Sequence, residues 1–415
     1  MKLAGQLLIP LVSLRASASD LYDKIYPMSG EFCAMTQIQK KPGFGALVVG
    51  GKFGHSVMYL TGICRDQQSA FPQIKICDPA DGPENGVGIS VSSDFKNINW
   101  VAVDDKNFFF HGLAQPGQIL DQNIYLQTKA TARQLGILSA VKIHEELYAN
   151  SPRGMERDDF KYEDSYGTDY AISNGRSMSC VRFPLDKSQL EKIVQNLNSL
   201  NQYYFQHENY VWEVSNNCAT TLDNALAAAG FWNALPVSVA PYGFGDVAIP
   251  MNSYARLMSR VSDLPLESLA DLYQDSAARK SLIENGTLPT RAGGLAEEFS
   301  IAMPNQVFET NVVGTAIDLP IFNPVHNRME TYLKEARYRD LKTNLTYFLA
   351  RFQKLKEKKR PWWVYRPPTS LKQPGGPRPF NAQTFQKFYA RFYEFVDRQI
   401  AETGEKLKLL EQQQP

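Results

Sequence analysis

Apolar and polar positions change their period along this chain, and the change divides it. From residue 28 to 185 the apolar stretches are short and bounded by turn formers. Gly45 to Gly50 and His55 to Leu60 read as strands between glycines, and Gln73 to Cys77, Val87 to Ser92 and Trp100 to Val103 continue the pattern. The cluster Asp78-Pro79-Ala80-Asp81-Gly82-Pro83 reads as a turn between them. From Ile124 to Tyr148 apolar residues recur at three- and four-residue steps, which predicts a helix. Residues 150 to 175 are polar, charged and rich in Tyr and Gly, which predicts a long loop. Ser179 to Phe183 reads as a further strand.

Helical spacing then takes over. Asp186 opens a helix with Leu190, Ile193, Val194, Leu197 and Leu200 on one face. A second starts at Asn216 or Asn217, runs through Cys218 to Ala229 and stops at Gly230; Asn is a favoured N-cap and Gly a natural terminator. Two long helices are expected near 326–359 and 381–411. Leu341, Leu345, Phe348, Phe352 and Leu355 stripe the first; Phe385, Phe388, Phe392 and Phe395 stripe the second. Such stripes are packing seams far more often than ligand sites. Pro361 to Pro379 reads as an extended linker, and the basic run Lys354 to Arg360 as a helix end where cations suit the dipole. The fold class is α+β.

The chain has 415 residues, 43% hydrophobic and 21% charged, which is the composition of a globular protein. A formal net charge of +1 provides no overall field for nucleic acid or an anionic membrane, so no nucleic-acid partner is expected. Lys2, the apolar stretch Leu3 to Leu14 and the small residues Ala16-Ser17-Ala18 read as an export signal cleaved near Ala18, although Arg15 departs from the pattern. A secreted or periplasmic protein is therefore expected. No other stretch reaches the roughly 18 apolar residues of a membrane-spanning helix. Five cysteines leave one over in an oxidising compartment. With Cys218 free, Cys64 and Cys77 would bridge a hairpin, leaving Cys33 for Cys180; all five could equally be reduced and buried.

Cys218 carries the first chemical signal. It falls in the first turn of the Asn-capped helix, where unpaired amides and the dipole favour an anion and can hold an oxyanion. Asn216 and Asn217 stand at the same terminus. The bland alternative is a buried structural cysteine or a disulfide partner. His55 opens a strand and shares one face with Val57 and Tyr59. Taken alone it is an ordinary core histidine. The other histidines, His111, His144, His207 and His326, lack a comparable setting.

Gly54-His55-Ser56-Val57-Met58-Tyr59-Leu60, followed far downstream by Asn216-Asn217-Cys218-Ala219-Thr220-Thr221-Leu222, resembles the circularly permuted papain-like (NlpC-type) cysteine hydrolases. In that permuted group, which includes lecithin:retinol acyltransferase-like proteins, the His strand precedes the Cys helix, as here. The match is best with an uncharacterised bacterial branch, and it covers roughly residues 40 to 235. It implies an antiparallel sheet packed on the nucleophile helix; the expected domains are then a signal at 1–18, this core within 19–250 and, from the helical spacing, a helical extension over 251–415. It implies that His55 takes the proton of Cys218, which attacks an amide or ester carbonyl. Asn216 and Asn217 would flank the oxyanion site. The third member lies on a later strand: Asp94, Ser92 and Asn99 fall at plausible places, Asp94 first on charge, with a plain turn residue as its alternative. The implied substrates are peptide, peptidoglycan or acyl compounds. No P-loop, zinc spacing or serine elbow is present, so no cofactor and no metal are expected. The rival expectation is an inactive papain-like fold that binds or organises the envelope.

Overall fold

The computed structural model describes residues 18–41, 43–44, 54–78, 86–115, 118–213, 216–234, 249–299, 305–310, 325–365, 370–371, 378–379 and 381–413. The expected export signal before residue 18 and the expected strand at 45–50 lie outside the described residues.

In chain order the strands are β1 (Ser29–Met35), β2 (Ile38–Lys40), β3 (His55–Thr61), β4 (Ile63–Arg65), β5 (Ile74–Ile76), β6 (Gly86–Val91), β7 (Trp100–Asp104), β8 (Met178–Pro184), β9 (Leu295–Phe299) and β10 (Phe308–Thr310). The helices used below are α1 (Ala18–Ile25), α2 (Lys106–His111), α3 (Gln122–Gln134), α4 (Arg157–Ser165), α5 (Lys187–His207), α6 (Cys218–Ala228), α7 (Pro250–Ser262), α8 (Leu269–Gln274), α9 (Ser276–Asn285), α10 (Val325–Lys334), α11 (Leu341–Glu357) and α12 (Ala382–Gln413).

One six-stranded antiparallel sheet organises the molecule, in the order β7-β6-β3-β1-β8-β9. β1, β6 and β8 are buried along their whole length, and β3 all but its last residue. That explains why they read as apolar runs and not as alternating half-buried strands. α5 and α6 pack against one another, and α6 lies on β3. Phe109 of α2 sits so close over β6 that a Cβ at Gly88 would be 2.3 Å from its ring. At the site end of β3, Gly54 has φ +80°, and a Cβ there would lie 2.5 Å from the Met35 carbonyl oxygen. Only glycine fits both constraints. The Gly-His pair is therefore a device for bringing His55 into register opposite Met35.

Two expectations change here. The helix foreseen over 124–148 ends at Gln134, because Gly136 turns with φ +62°. The apolar residues beyond it, Ile137, Leu138, Val141 and Ile143, fill the core from an irregular segment, and only a 3-10 turn at Glu145–Asn150 follows. The segment 150–175 is not a solvated loop. It holds α4, and Tyr162, Tyr166, Asp169 and Tyr170 are buried. Two of its charges are internal: Glu163 accepts from Lys40, Lys129 and Tyr125, and Lys161 donates to the Leu138 and Val141 carbonyls.

The chain beyond residue 250 is not confined to a helical extension. α7 packs on β1 and β8, β9 supplies the sixth strand, and β10 pairs with β2. The two foreseen stripes do form a seam: Leu345, Phe348, Phe352 and Leu355 of α11 share a core with Phe385, Phe388, Phe392 and Phe395 of α12. Tyr22 and Ile25 of α1 and Tyr26 just after it join the same core, and the two tyrosines donate to the Gly293 and Ala292 carbonyls. The helix foreseen at 326–359 is broken into α10 and α11 by a 3-10 turn at Ala336–Tyr338.

Both expected disulfides are present, Cys64–Cys77 across the β4–β5 hairpin and Cys33–Cys180 between β1 and β8. They close segments of 13 and 147 residues respectively. In the chain-entropy account the longer closure stabilises by about 5 kcal/mol and the shorter by about 3 kcal/mol. Denaturant unfolding of the Cys33→Ala/Cys180→Ala and Cys64→Ala/Cys77→Ala pairs should therefore show the larger loss in the first; the reverse order would refute that account.

Candidate active site

Cys218 is the free thiol left once the other four cysteines pair. It is the first residue of α6. The Asn217 side chain caps this helix by accepting from the Thr220 amide at 2.9 Å. Asn216 donates to the Tyr204 hydroxyl at 3.2 Å and the Val211 carbonyl at 3.1 Å, which fixes the approach to the helix. The two asparagines thus build the terminus, while the amides of Cys218 and Ala219 turn toward the sulfur.

The thiol is 7% exposed. Burial raises its pKa, and the Ser56 hydroxyl, the Ser56 amide and the helix amides oppose that without reversing it. Ser56 Oγ is buried and makes no hydrogen bond of ordinary geometry. The helix terminus is built to receive an anion, but the closed site holds the group as a neutral thiol.

His55 precedes Ser56 on β3, so Cys218 and His55 meet the same strand end, but consecutive strand side chains leave opposite faces of the sheet and the two reach it from different sides. They are not hydrogen-bonded to each other. The His55 Nε2 atom lies 3.1 Å from Ser90 Oγ, on the neighbouring β6. Ser90 Oγ is in turn 3.0 Å from the Thr168 carbonyl and 2.8 Å from Asp169 Oδ1. One hydroxyl proton cannot serve both acceptors, so a proton on Asp169 fits this arrangement. Burial raises Asp169 to about 7, against the hydrogen bonds from Ser90 and Ser165. Burial, and after it the Arg176 charge, lowers His55 to about 3, with the Thr168 carbonyl opposing. The imidazole is neutral across the physiological range, and Ser90 and Asp169 orient it.

Asp94, the first sequence candidate for the orienting residue, lies elsewhere. Its carboxylate takes the Ser93 hydroxyl at 3.0 Å, and it stands beside Asp164. Burial raises both carboxyls, and their mutual repulsion raises Asp164 further, so the two share a proton. Ser92 bonds to Asp94, not to His55. Asn99 is anchored through its own amide to Asn201, and its side chain faces the Tyr210 hydroxyl, which lies near Cys218. Ser90 and Asp169 were missed because neither carries a local signal. Ser90 is one more polar residue in a strand, and Asp169 sits in the segment read as a loop.

For metal binding, the described residues offer one trio with ligand atoms within 4.8 Å, Glu31, Cys33 and Cys180. The two sulfurs are bonded to each other, so no thiolate is available to an ion there.

The Asp169 value carries a pH dependence whose sign can be fixed. Its folded pKa of about 7 lies above the unfolded value of about 4, so its contribution is present below pH 4 and lost as pH rises through 7. Wild type should therefore lose stability relative to Asp169→Asn between pH 4 and 8 in denaturant unfolding. His55 acts in the other direction: its contribution is present above pH 6.5 and lost as pH falls toward 3. A wild-type–Asp169→Asn difference that stays flat with pH would show that Asp169 ionises normally. No family model, no curated protein and no solved structure matches this chain, so the site's chemistry rests on its own residues.

Proposed function

We propose that this chain is an exported thiol hydrolase or acyl/peptidyl transferase with a permuted papain-like core, acting through Cys218 and His55. One observation carries the reading. With the other four cysteines paired, the remaining thiol sits at an Asn-capped helix N-terminus packed on β3, beside the residue that follows His55.

The chemistry follows from these parts. His55, neutral at working pH, accepts the Cys218 proton when its ring leaves Ser90 or when a water bridges the two. The thiolate attacks an amide or ester carbonyl, forming a C–S bond. The amides of Cys218 and Ala219 hold the oxyanion. The leaving amine or alcohol departs with the proton from His55, giving a thioester. Water, or an acceptor amine or alcohol, then gives its proton to His55 and attacks the thioester, and Cys218 regains a proton. Ser90 and Asp169 keep the ring oriented between steps. Cell-wall peptides and acyl compounds are the substrate classes of this reading. An oxidising compartment suits both disulfides, and no described helix is long and apolar enough to cross a membrane.

A second reading is favoured by one observation, the bond of His55 to Ser90 in place of Cys218. On that reading the fold is a catalytically inactive, papain-like binding or structural protein of the envelope.

The two separate in one experiment. Native protein is exposed to iodoacetamide and to a panel of amide and ester substrates, with Cys218→Ser and His55→Ala alongside. The enzyme reading expects loss of turnover in Cys218→Ser and a fall of about 10²–10⁴-fold in His55→Ala, with slower labelling of Cys218. Equal labelling of wild type and His55→Ala, with no turnover in either, would establish the inactive fold.

A further inference from the structure

We propose that the tip formed by the end of α11 and the turn after it, Lys354 to Tyr365, docks on an anionic lipid surface, with Trp363 and Val364 entering the headgroup layer and the cations beside them held against the lipid phosphates. This goes beyond the reading of Cys218 and does not rest on it.

The first ground is the apolar part of the tip. After α11 ends at Glu357, Pro361 leads into a 3-10 turn over Trp362–Val364. A single exposed apolar residue is ordinary. Here two stand side by side: Trp363 is 67% exposed, the highest value for a large apolar side chain among the described residues, and Val364 is 44% exposed. The turn that carries them is held from within. Trp362 and Tyr365 pack on the core that α11 and α12 share. The Arg360 amide donates to the Tyr365 hydroxyl at 3.1 Å, that hydroxyl lies 2.7 Å from the one of Tyr393, and Tyr389 donates to the Arg360 carbonyl at 2.8 Å. The exposure is therefore built into an anchored turn.

The second ground is the charge beside it. Lys354, Lys356, Lys358, Lys359 and Arg360 are all exposed, and Glu357 is the one carboxylate among them. The stretch carries a net +4 in a chain of net +1, so the attraction is local to this tip. Lys356 pairs with Asp397 at 2.8 Å. Among the described residues Lys354, Lys358, Lys359 and Arg360 form no ion pair. The helix dipole accounts for Lys354 and Lys356 in the last turn, but its effect fades beyond it, where Lys358, Lys359 and Arg360 stand. Placement joins the two grounds. Lys354, Lys358 and Tyr365 line one cavity of about 450 Å³, and the Lys359 ammonium lies 4.6 Å from the centre of the Tyr393 ring. Cations and turn thus share a side of the molecule.

An indole at headgroup depth with lysines and arginine against anionic lipid is the chemistry of a peripheral membrane contact. An acidic protein partner would use the same cations, but a stable protein interface covers about 800 Å² per partner. The apolar surface here is a two-residue turn. Leu409, the other exposed large apolar residue of this helix pair, lies at its opposite end, where Lys342 pairs with Glu411.

The test follows the full chain on vesicles of phosphatidylcholine, alone and with phosphatidylglycerol added, by co-flotation and by tryptophan emission. Near-UV circular dichroism checks the fold of each variant. Wild type should bind the phosphatidylglycerol vesicles, with a blue shift of emission, and release them as salt rises. Lys358→Gln/Lys359→Gln/Arg360→Gln should weaken binding by about tenfold or more. Trp363→Ser/Val364→Ser should weaken it too, and Trp363→Phe should bind with the blue shift reduced. No binding by wild type, equal binding to both vesicle types, or binding that neither multiple variant alters would overturn the proposal. Salt-sensitive binding to polyglutamate in place of vesicles would overturn it as well and give the tip to an acidic protein. None of these readings depends on Cys218 or on turnover.

Discussion

Burial of β3 from both sides sets the terms for everything at its first residues. A strand inside a covered sheet has no water to solvate a charge, so each polar side chain there needs a protein partner or must give up its charge. Along the middle of the sheet the first solution holds: Glu31, Arg182, Lys106, Asp23 and Glu297 form one connected ionic group. At the end of the sheet the second solution holds. His55 is neutral, Asp169 is raised toward neutrality, and Cys218 stays protonated. The contrast shows that the sheet end is not simply a poorly paired copy of the ionic group beside it.

On the reading proposed above, that environment explains how Cys218, His55 and Asp169 can lie near one strand end without exchanging protons at rest. A thiolate beside an imidazolium needs both charges to survive desolvation, and here neither is favoured. The helix amides and the Ser56 hydroxyl lower the cost of the anion alone. On that reading His55 accepts a proton only while the thioester forms and breaks. On that reading, access to the buried thiol is the step on which reactivity depends.

Much of this was legible in the sequence wherever the signal was local. Asn217 and Gly230 mark both ends of α6 by their cap chemistry, and the stripes of α11 and α12 mark their buried faces. The cysteine pairing followed from one hairpin and one remainder. What was not legible depends on long-range contact. β9 has no feature that tells it to join β8 across 111 residues of chain between Pro184 and Leu295, because sheet pairing is decided by which edge is open. Residues 150–175 looked like a loop because Lys161, Glu163 and Asp169 carry loop-like composition. Their charges are met from Lys40, Lys129 and backbone carbonyls far away in sequence. For the same reason Asp94 looked like the orienting acid, and Asp169, hidden behind Ser90, did not.

The Cys33–Cys180 bond connects these levels. It joins β1 to β8, and β1 is the strand whose Met35 sets His55 and whose extension, Thr36, receives Arg176. β8 begins two residues after Arg176. The covalent link therefore fixes the spacing between the strand whose Met35 lies opposite His55 and the segment that carries Arg176. It also uses two thiols that would otherwise compete with Cys218 for electrophiles and oxidants. The disulfide and the buried free thiol thus belong to one arrangement, a sheet end assembled from segments 140 residues apart between Thr36 and Arg176.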